Sequence, residues 1–160
     1  MSEMEKLAAM MKQQRDEKAD VDRATASARE EKFNHWIESI NKLFDDIQEW
    51  LEPLARQDLV QYNRGMTEIK ENIPQNLVAT YDAPVLPMAI NGKAARITPV
   101  GLYLTGCDGA VDFMAREKQY RITRHIGAEV QWMLHDKAEH KGRGVLLNQE
   151  SLAKAISHYL

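Results

Sequence analysis

Residues 33–54, with the sequence FNHWIESINKLFDDIQEWLEPL, constrain the fold more than any other part of the chain. Their apolar residues recur in alternating steps of three and four, which places the side chains along one face of an α-helix. The residues of this stripe are Phe33, Trp36, Ile40, Leu43, Ile47, Trp50 and Leu54. The pattern predicts a long amphipathic helix with a continuous apolar stripe.

The apolar face of this helix is wider than the seam of a simple coiled coil. A two-helix seam uses the a and d positions of each heptad, and the flanking positions are usually charged. Here a further position is apolar in each heptad, at Ile37, Phe44 and Leu51. Such a wide face favours a helix that lies on a sheet or in a globular core. We therefore expect it to pack on a sheet of the same chain.

Between residues 59 and 147 the pattern changes, because Gly and Pro appear and the apolar spacing shortens toward two. Alternation of this kind is typical of half-buried strands. The predicted strands lie near residues 86–90, 95–97, 102–104, 111–113, 120–122 and 130–134, with weaker candidates at 59–62 and 66–73. Turns are predicted at Asn91-Gly92, where the dipeptide is a strong hairpin signal, and at residues 99–101 and 106–109. We expect an antiparallel meander of about five to seven strands.

The last residues, 148–160, are predicted to form a short closing helix. Asn148 is suited to cap its N-terminus, and Leu152, Ile156 and Tyr159 or Leu160 give it an apolar stripe. The predicted fold class is therefore α+β, with a long N-terminal helix whose second half packs on the meander and a short C-terminal helix. Residues 33–160 are expected to form a single α+β domain.

Residues 1–32 differ from the rest, with seven basic and eight acidic residues and neither Gly nor Pro. Ser2 followed by Glu5 is a capping-box pattern, so a helix is expected to begin there. The main apolar residues of its first turns are Met4, Leu7 and Met11. Two interpretations stay open: a solvated helical extension, or an arm that uses these three residues to bind a protein partner or a second copy.

Composition and charge exclude few classes of function. The net charge is −3 over 160 residues, which does not by itself indicate nucleic acid or an anionic membrane as partner. The single cysteine cannot form an internal disulfide, and the first residues lack the pattern of a signal peptide. We found no apolar run long enough to span a bilayer. The sequence therefore predicts a cytoplasmic protein that does not insert into a membrane.

A basic cluster at residues 116–125 supports an alternative function. It comprises Arg116, Lys118, Arg121 and Arg124, followed by His125. Tyr120 and Trp132 are candidates for stacking on bases beside these arginines, as in proteins that bind single strands. The alternative is therefore an accessory protein that contacts nucleic acid through this cluster.

Signals for catalysis or metal binding are weak. His135 and His140 are five residues apart, a spacing that does not place them on one helix face, and we interpret residues 135–140 as a polar turn. Cys107 lies in a predicted turn next to Asp108, whose negative charge disfavours a reactive thiolate. We therefore expect no catalytic residue, no cofactor and no metal site. A small-molecule binder or enzyme with a pocket between helix and sheet is a second alternative to the main prediction, a non-catalytic, adaptor-like interaction protein.

Overall fold

The computed structural model describes residues 2–139 and 144–160. Within these ranges the helices are α1 (Glu3–Trp50), α2 (Glu52–Ala55) and α3 (Gln149–Ile156), and a short 3₁₀ turn (Ser157–Tyr159) follows α3. The strands are β1 (Val60–Tyr62), β2 (Gly65–Ile73), β3 (Leu77–Ile90), β4 (Lys93–Gly101), β5 (Ala110–Ala115), β6 (Lys118–Ile126), β7 (Val130–Asp136) and β8 (Val145–Leu146). The predicted α+β class is confirmed.

The chain divides into two compact units, Met1–His35 and Trp36–Leu160. In the described part of the first unit, residues 3–35 all belong to α1. The second unit contains the remainder of α1, the sheet and α3.

The strands form an antiparallel sheet in which sequence neighbours pair from β3 through β8. Strands β1 and β2 both pair with β3, at its C-terminal and N-terminal parts respectively. The described residues thus contain eight strands, one more than the upper predicted number. The Asn91-Gly92 turn joins β3 to β4 with positive φ at both residues, as this hairpin turn requires.

The second half of α1 packs on the sheet, as the width of its apolar face predicts. Its buried apolar side chains are Trp36, Ile40, Leu43, Phe44 and Ile47, and Leu51 is buried directly after the helix. At the edge of this contact, Tyr62 of β1 donates a hydrogen bond to the Gln48 carbonyl, and Arg64 pairs with Asp45 at 2.6 Å. We refer to the sheet face that α1 covers as the inner face.

Helix α3 begins at the predicted cap. The Asn148 side chain accepts a hydrogen bond from the Ser151 N–H at 2.9 Å, and the Ser151 hydroxyl accepts one from the Asn148 N–H. The apolar side of the helix is buried at Leu152, Ala155 and Ile156. The prediction of a short closing helix with Asn148 at its start is confirmed.

The prediction of a turn at residues 99–101 is wrong, because these residues continue β4. Pro99 is opposite Val111 of β5, next to a register shift between Pro99 and Gly101. A bulge of this kind tolerates the missing N–H of proline inside a sheet.

The predicted strand at residues 102–104 is also wrong, and Glu71 of β2 provides the physical reason. Its carboxylate accepts hydrogen bonds from the N–H groups of Leu102, at 3.0 Å, and Tyr103, also at 3.0 Å. The Tyr81 hydroxyl donates to the same carboxylate. These two N–H groups bond to a side chain instead of a strand, so the chain forms a loop there.

Candidate functional site

The first candidate site is the helical arm, which we define as residues 3–32 of α1. Its predicted contact residues are exposed: Met4 by 74%, Leu7 by 44% and Met11 by 59%. Spacings of three and four residues place these side chains on one face of the helix. The Ser2 hydroxyl accepts a hydrogen bond from the Glu5 N–H at 3.1 Å, so the helix begins at the predicted cap.

The interactions described along the arm are short-range and exposed. Lys6 pairs with Glu3 at 3.3 Å, Arg23 pairs with Asp20, and Gln13 donates to Glu17. Pairs of this kind stabilise a helix by only a few tenths of a kcal/mol each, about 0.2–0.5. The arm therefore presents apolar side chains on a helix that gains little from its own surface.

The second candidate site, the basic cluster, does not form one surface. Arg116 lies in the turn between β5 and β6 with φ of 60°, and Lys118 begins β6. Both are exposed. Arg121 lies on the outer face, where it forms a salt bridge with Asp112 at 2.9 Å. Arg124 lies three residues further along the strand and therefore points to the opposite face.

Arg124 is buried, and its inclusion in an exposed basic cluster is wrong. The side chain is only 2% exposed. Its Nε donates to the Asp108 carbonyl at 2.7 Å, and a terminal nitrogen donates to the Ser39 hydroxyl at 2.8 Å. The guanidinium carbon lies 4.8 Å from the ring centroid of Trp36. Burial lowers the pKa of Arg124. Because its contacts are made within the packing of α1 on the sheet, we interpret Arg124 as a structural residue.

The aromatic residues proposed for base stacking also lie on the inner face. Tyr120 is buried, and its hydroxyl donates to the Ala155 carbonyl at 3.3 Å. Trp132 is half-buried with its ring centroid 6.0 Å from that of Trp36. Neither ring is therefore placed beside Arg121 on the outer face, and the stacking hypothesis loses its structural basis.

A polar network on the outer face was not predicted from the sequence. The Thr123 hydroxyl oxygen lies 2.8 Å from His125 Nε2 and 2.9 Å from His135 Nε2. Nearby, Asp112 bonds to both Arg121 and Lys137. The pairing of β6 with β7 brings these residues together, and no local sequence pattern gives that register.

The pH dependence of stability should be smaller in a His135→Gln variant than in the wild type. Burial and the nearby His125 lower the pKa of His135 below its ordinary value of 6.5. The unfolded chain therefore binds this proton more readily than the folded chain. The stability that neutral His135 contributes is fully present above about pH 6.5. It is lost as the pH falls from there toward the pKa of His135 in the folded chain.

Urea unfolding near neutral pH and at mildly acidic pH measures this difference. The wild type should lose more free energy of unfolding between the two conditions than His135→Gln. An equal loss in the wild type and His135→Gln would contradict the assignment.

The residues considered for metal binding or thiol chemistry do not converge in the described structure. Cys107 is a free cysteine in the 106–109 turn. Across residues 2–139 and 144–160, no group of three His, Cys, Asp or Glu side chains is arranged to hold a metal ion. His140, the second histidine of the polar segment, lies outside the described residues.

An apolar cavity of about 370 Å³ lies between the end of α2, the residue before β1, the end of β3, and α3 with the turn that follows it. Its lining includes Leu54, Leu59, Ile90, Ala153, Ile156 and Tyr159. Two polar side chains also line it, and each already has a backbone partner: Asn91 donates to the Tyr159 carbonyl and Ser157 to the Lys154 carbonyl. The cavity therefore presents no set of polar groups that points to a reaction.

No protein-family model, curated protein or solved structure matches this chain. No helix among the described residues is both long enough and apolar enough to cross a membrane. The function must therefore be inferred from the geometry of the candidate sites.

Proposed function

We propose that the protein is a non-catalytic, adaptor-like interaction protein that binds a protein partner or a second copy through its helical arm. The observation that carries this proposal is the exposure of Met4, Leu7 and Met11 on one face of the arm. Amphipathic helices with this spacing bind in grooves of other proteins or pair with another helix.

A helix such as the arm needs a packing contact to be stable, and this need supports the proposed function. Isolated helices are marginal in water, and helices in proteins gain most of their stability by packing an apolar face. Within the described part of the first unit, α1 is the only element, so that unit offers its apolar face no second element to pack on. A helix from another protein molecule would supply the missing contact.

The residue types on the arm suit such a contact. Methionine side chains are flexible and polarisable, and they adapt to partner surfaces of irregular shape. Met10, beside the stripe, is also 61% exposed.

For the cellular location, we propose the cytoplasm. The lone free cysteine, Cys107, is compatible with a reducing compartment.

Replacing both Leu7 and Met11 with Asp is expected to abolish association through the arm, because it places two charges in the apolar contact. The matched control is Ala9→Asp with Gln13→Asp, which adds two charges at the same spacing on the opposite face of the helix. Light scattering and cross-linking with mass spectrometry, applied to the wild type and both variants, measure the association.

The expected result is that the wild type and the control associate with the same protein, whether a second copy or another chain, and that the Leu7 and Met11 variant does not. Circular dichroism and urea unfolding check that the second unit stays folded in each variant. Unchanged association of the Leu7 and Met11 variant would refute the proposed function.

A further inference from the structure

We infer that the partner of the helical arm is a second copy of this chain and that the two arms pair in antiparallel orientation. This inference rests on the proposed function and narrows its partner. The spacing that begins at Met4 continues along the arm in steps of three and four, and the series is Met4, Leu7, Met11, Gln14, Lys18, Val21, Thr25 and Ala28. These positions form one continuous seam on an α-helix. Val21 within it is 63% exposed.

The charge of the arm favours a second copy as occupant. Residues 1–32 contain seven basic and eight acidic residues, and both signs are distributed along the length. A helix directed at a strongly charged partner would carry mainly the opposite charge. A surface with both signs in near balance is able to complement itself.

Parallel pairing is disfavoured by the seam residues. When two identical helices pair in parallel and in register, each a or d residue faces its own copy. Lys18 would then face Lys18 of the second copy.

Antiparallel pairing removes the contact between the two lysines. With the two helices related by a twofold axis near residue 16, Met11 lies opposite Val21 and Leu7 lies opposite Thr25. In the same alignment Lys18 lies opposite Gln14, whose amide oxygen is able to accept its hydrogen bond. The exposed side chains of Met11 and Val21 would thus cover each other twice in the dimer.

Disulfide trapping distinguishes the two orientations. The full chain is used with Cys107→Ser, so that one introduced cysteine is the only thiol. Met11→Cys chains are mixed with Val21→Cys chains under mild oxidation, and the products are separated by mass. The inference predicts disulfides between residues 11 and 21 and few between two copies of residue 11. Gln13→Cys, on the opposite face, should give no disulfide with either.

A predominance of disulfides between two copies of residue 11 would overturn the antiparallel orientation. Light scattering tests the second copy itself: the mass should rise with concentration from 18.3 kDa toward twice that value. Leu7→Asp with Met11→Asp should weaken this dimerisation at least about tenfold. A constant mass of 18.3 kDa overturns the inference. If the mass stays constant but another protein binds through Leu7 and Met11, the proposed function holds and only the inference of a second copy fails. If no protein binds there, the proposed function fails as well.

Discussion

Replacing Gly109 with Ala is expected to destabilise the second unit by about 3 kcal/mol or more. An added Cβ would lie 2.6 Å from Cζ3 of Trp36 and 2.9 Å from its Cε3. The Trp36 ring is fully buried at the contact between α1 and the sheet, so it has little room to move. In addition, the φ of Gly109 is +120°, a conformation that alanine adopts only with strain.

Gly106 provides a matched control in the same turn. Its φ is +86°, but a methyl group added at that position would meet no atom within 4 Å. Gly106→Ala should therefore show only the backbone strain, about 1–2 kcal/mol. Urea unfolding of both variants measures the difference. Equal losses of stability would show that the contact with Trp36 does not limit this position.

Replacing Arg124 with Ala is expected to cost about 3–5 kcal/mol of stability. The substitution removes a buried side chain that contacts the Trp36 ring and leaves the Asp108 carbonyl and the Ser39 hydroxyl without its hydrogen bonds. Arg121→Ala, on the outer face of the same strand, is the matched control. Its partly exposed salt bridge with Asp112 should be worth about 1 kcal/mol or less.

Thermal or urea unfolding of the two arginine variants compares these losses. If Arg124→Ala were as stable as Arg121→Ala, the buried position of Arg124 would be wrong and the basic cluster would again be a candidate surface.

The burial of Arg124 also determines which residues are suitable for testing nucleic-acid binding. A loss of binding in an Arg124 variant would report unfolding, so the exposed Arg116 and Lys118 are the informative residues.

The parts of the fold that could be predicted from sequence depend on local patterns. The apolar stripe of residues 33–54 indicates both the helix and the width of its buried face, because helical periodicity is a property of one segment. Asn91-Gly92 and Asn148 were similarly informative, since a hairpin turn and a helix cap each require a particular residue at a particular place. Residues 102–104 have the alternating pattern of a strand but form a loop, because the distant Glu71 carboxylate accepts hydrogen bonds from the N–H groups of Leu102 and Tyr103.

The candidate sites were harder to predict, because side-chain direction and strand register decide them. Arg121 and Arg124 are close in sequence, but the alternation of the strand separates them onto opposite faces. Conversely, His125 and His135 are distant in sequence and meet at Thr123 only through the pairing of β6 with β7. The apolar face of the arm was predictable because it depends on a single helix, whereas its partner is not specified by local sequence.

Strand β3 is buried at four consecutive positions, residues 83–86, where its pairing changes from β2 to β4. Ala83 and Val85 are buried where it pairs with β2, and Leu86, Met88 and Ile90 are buried where it pairs with β4. A slide of β3 by one residue would move Leu86, Met88 and Ile90 to the other face of the sheet, so their burial opposes slipping of the strand. An insertion or deletion of a single residue within this strand should consequently destabilise the second unit.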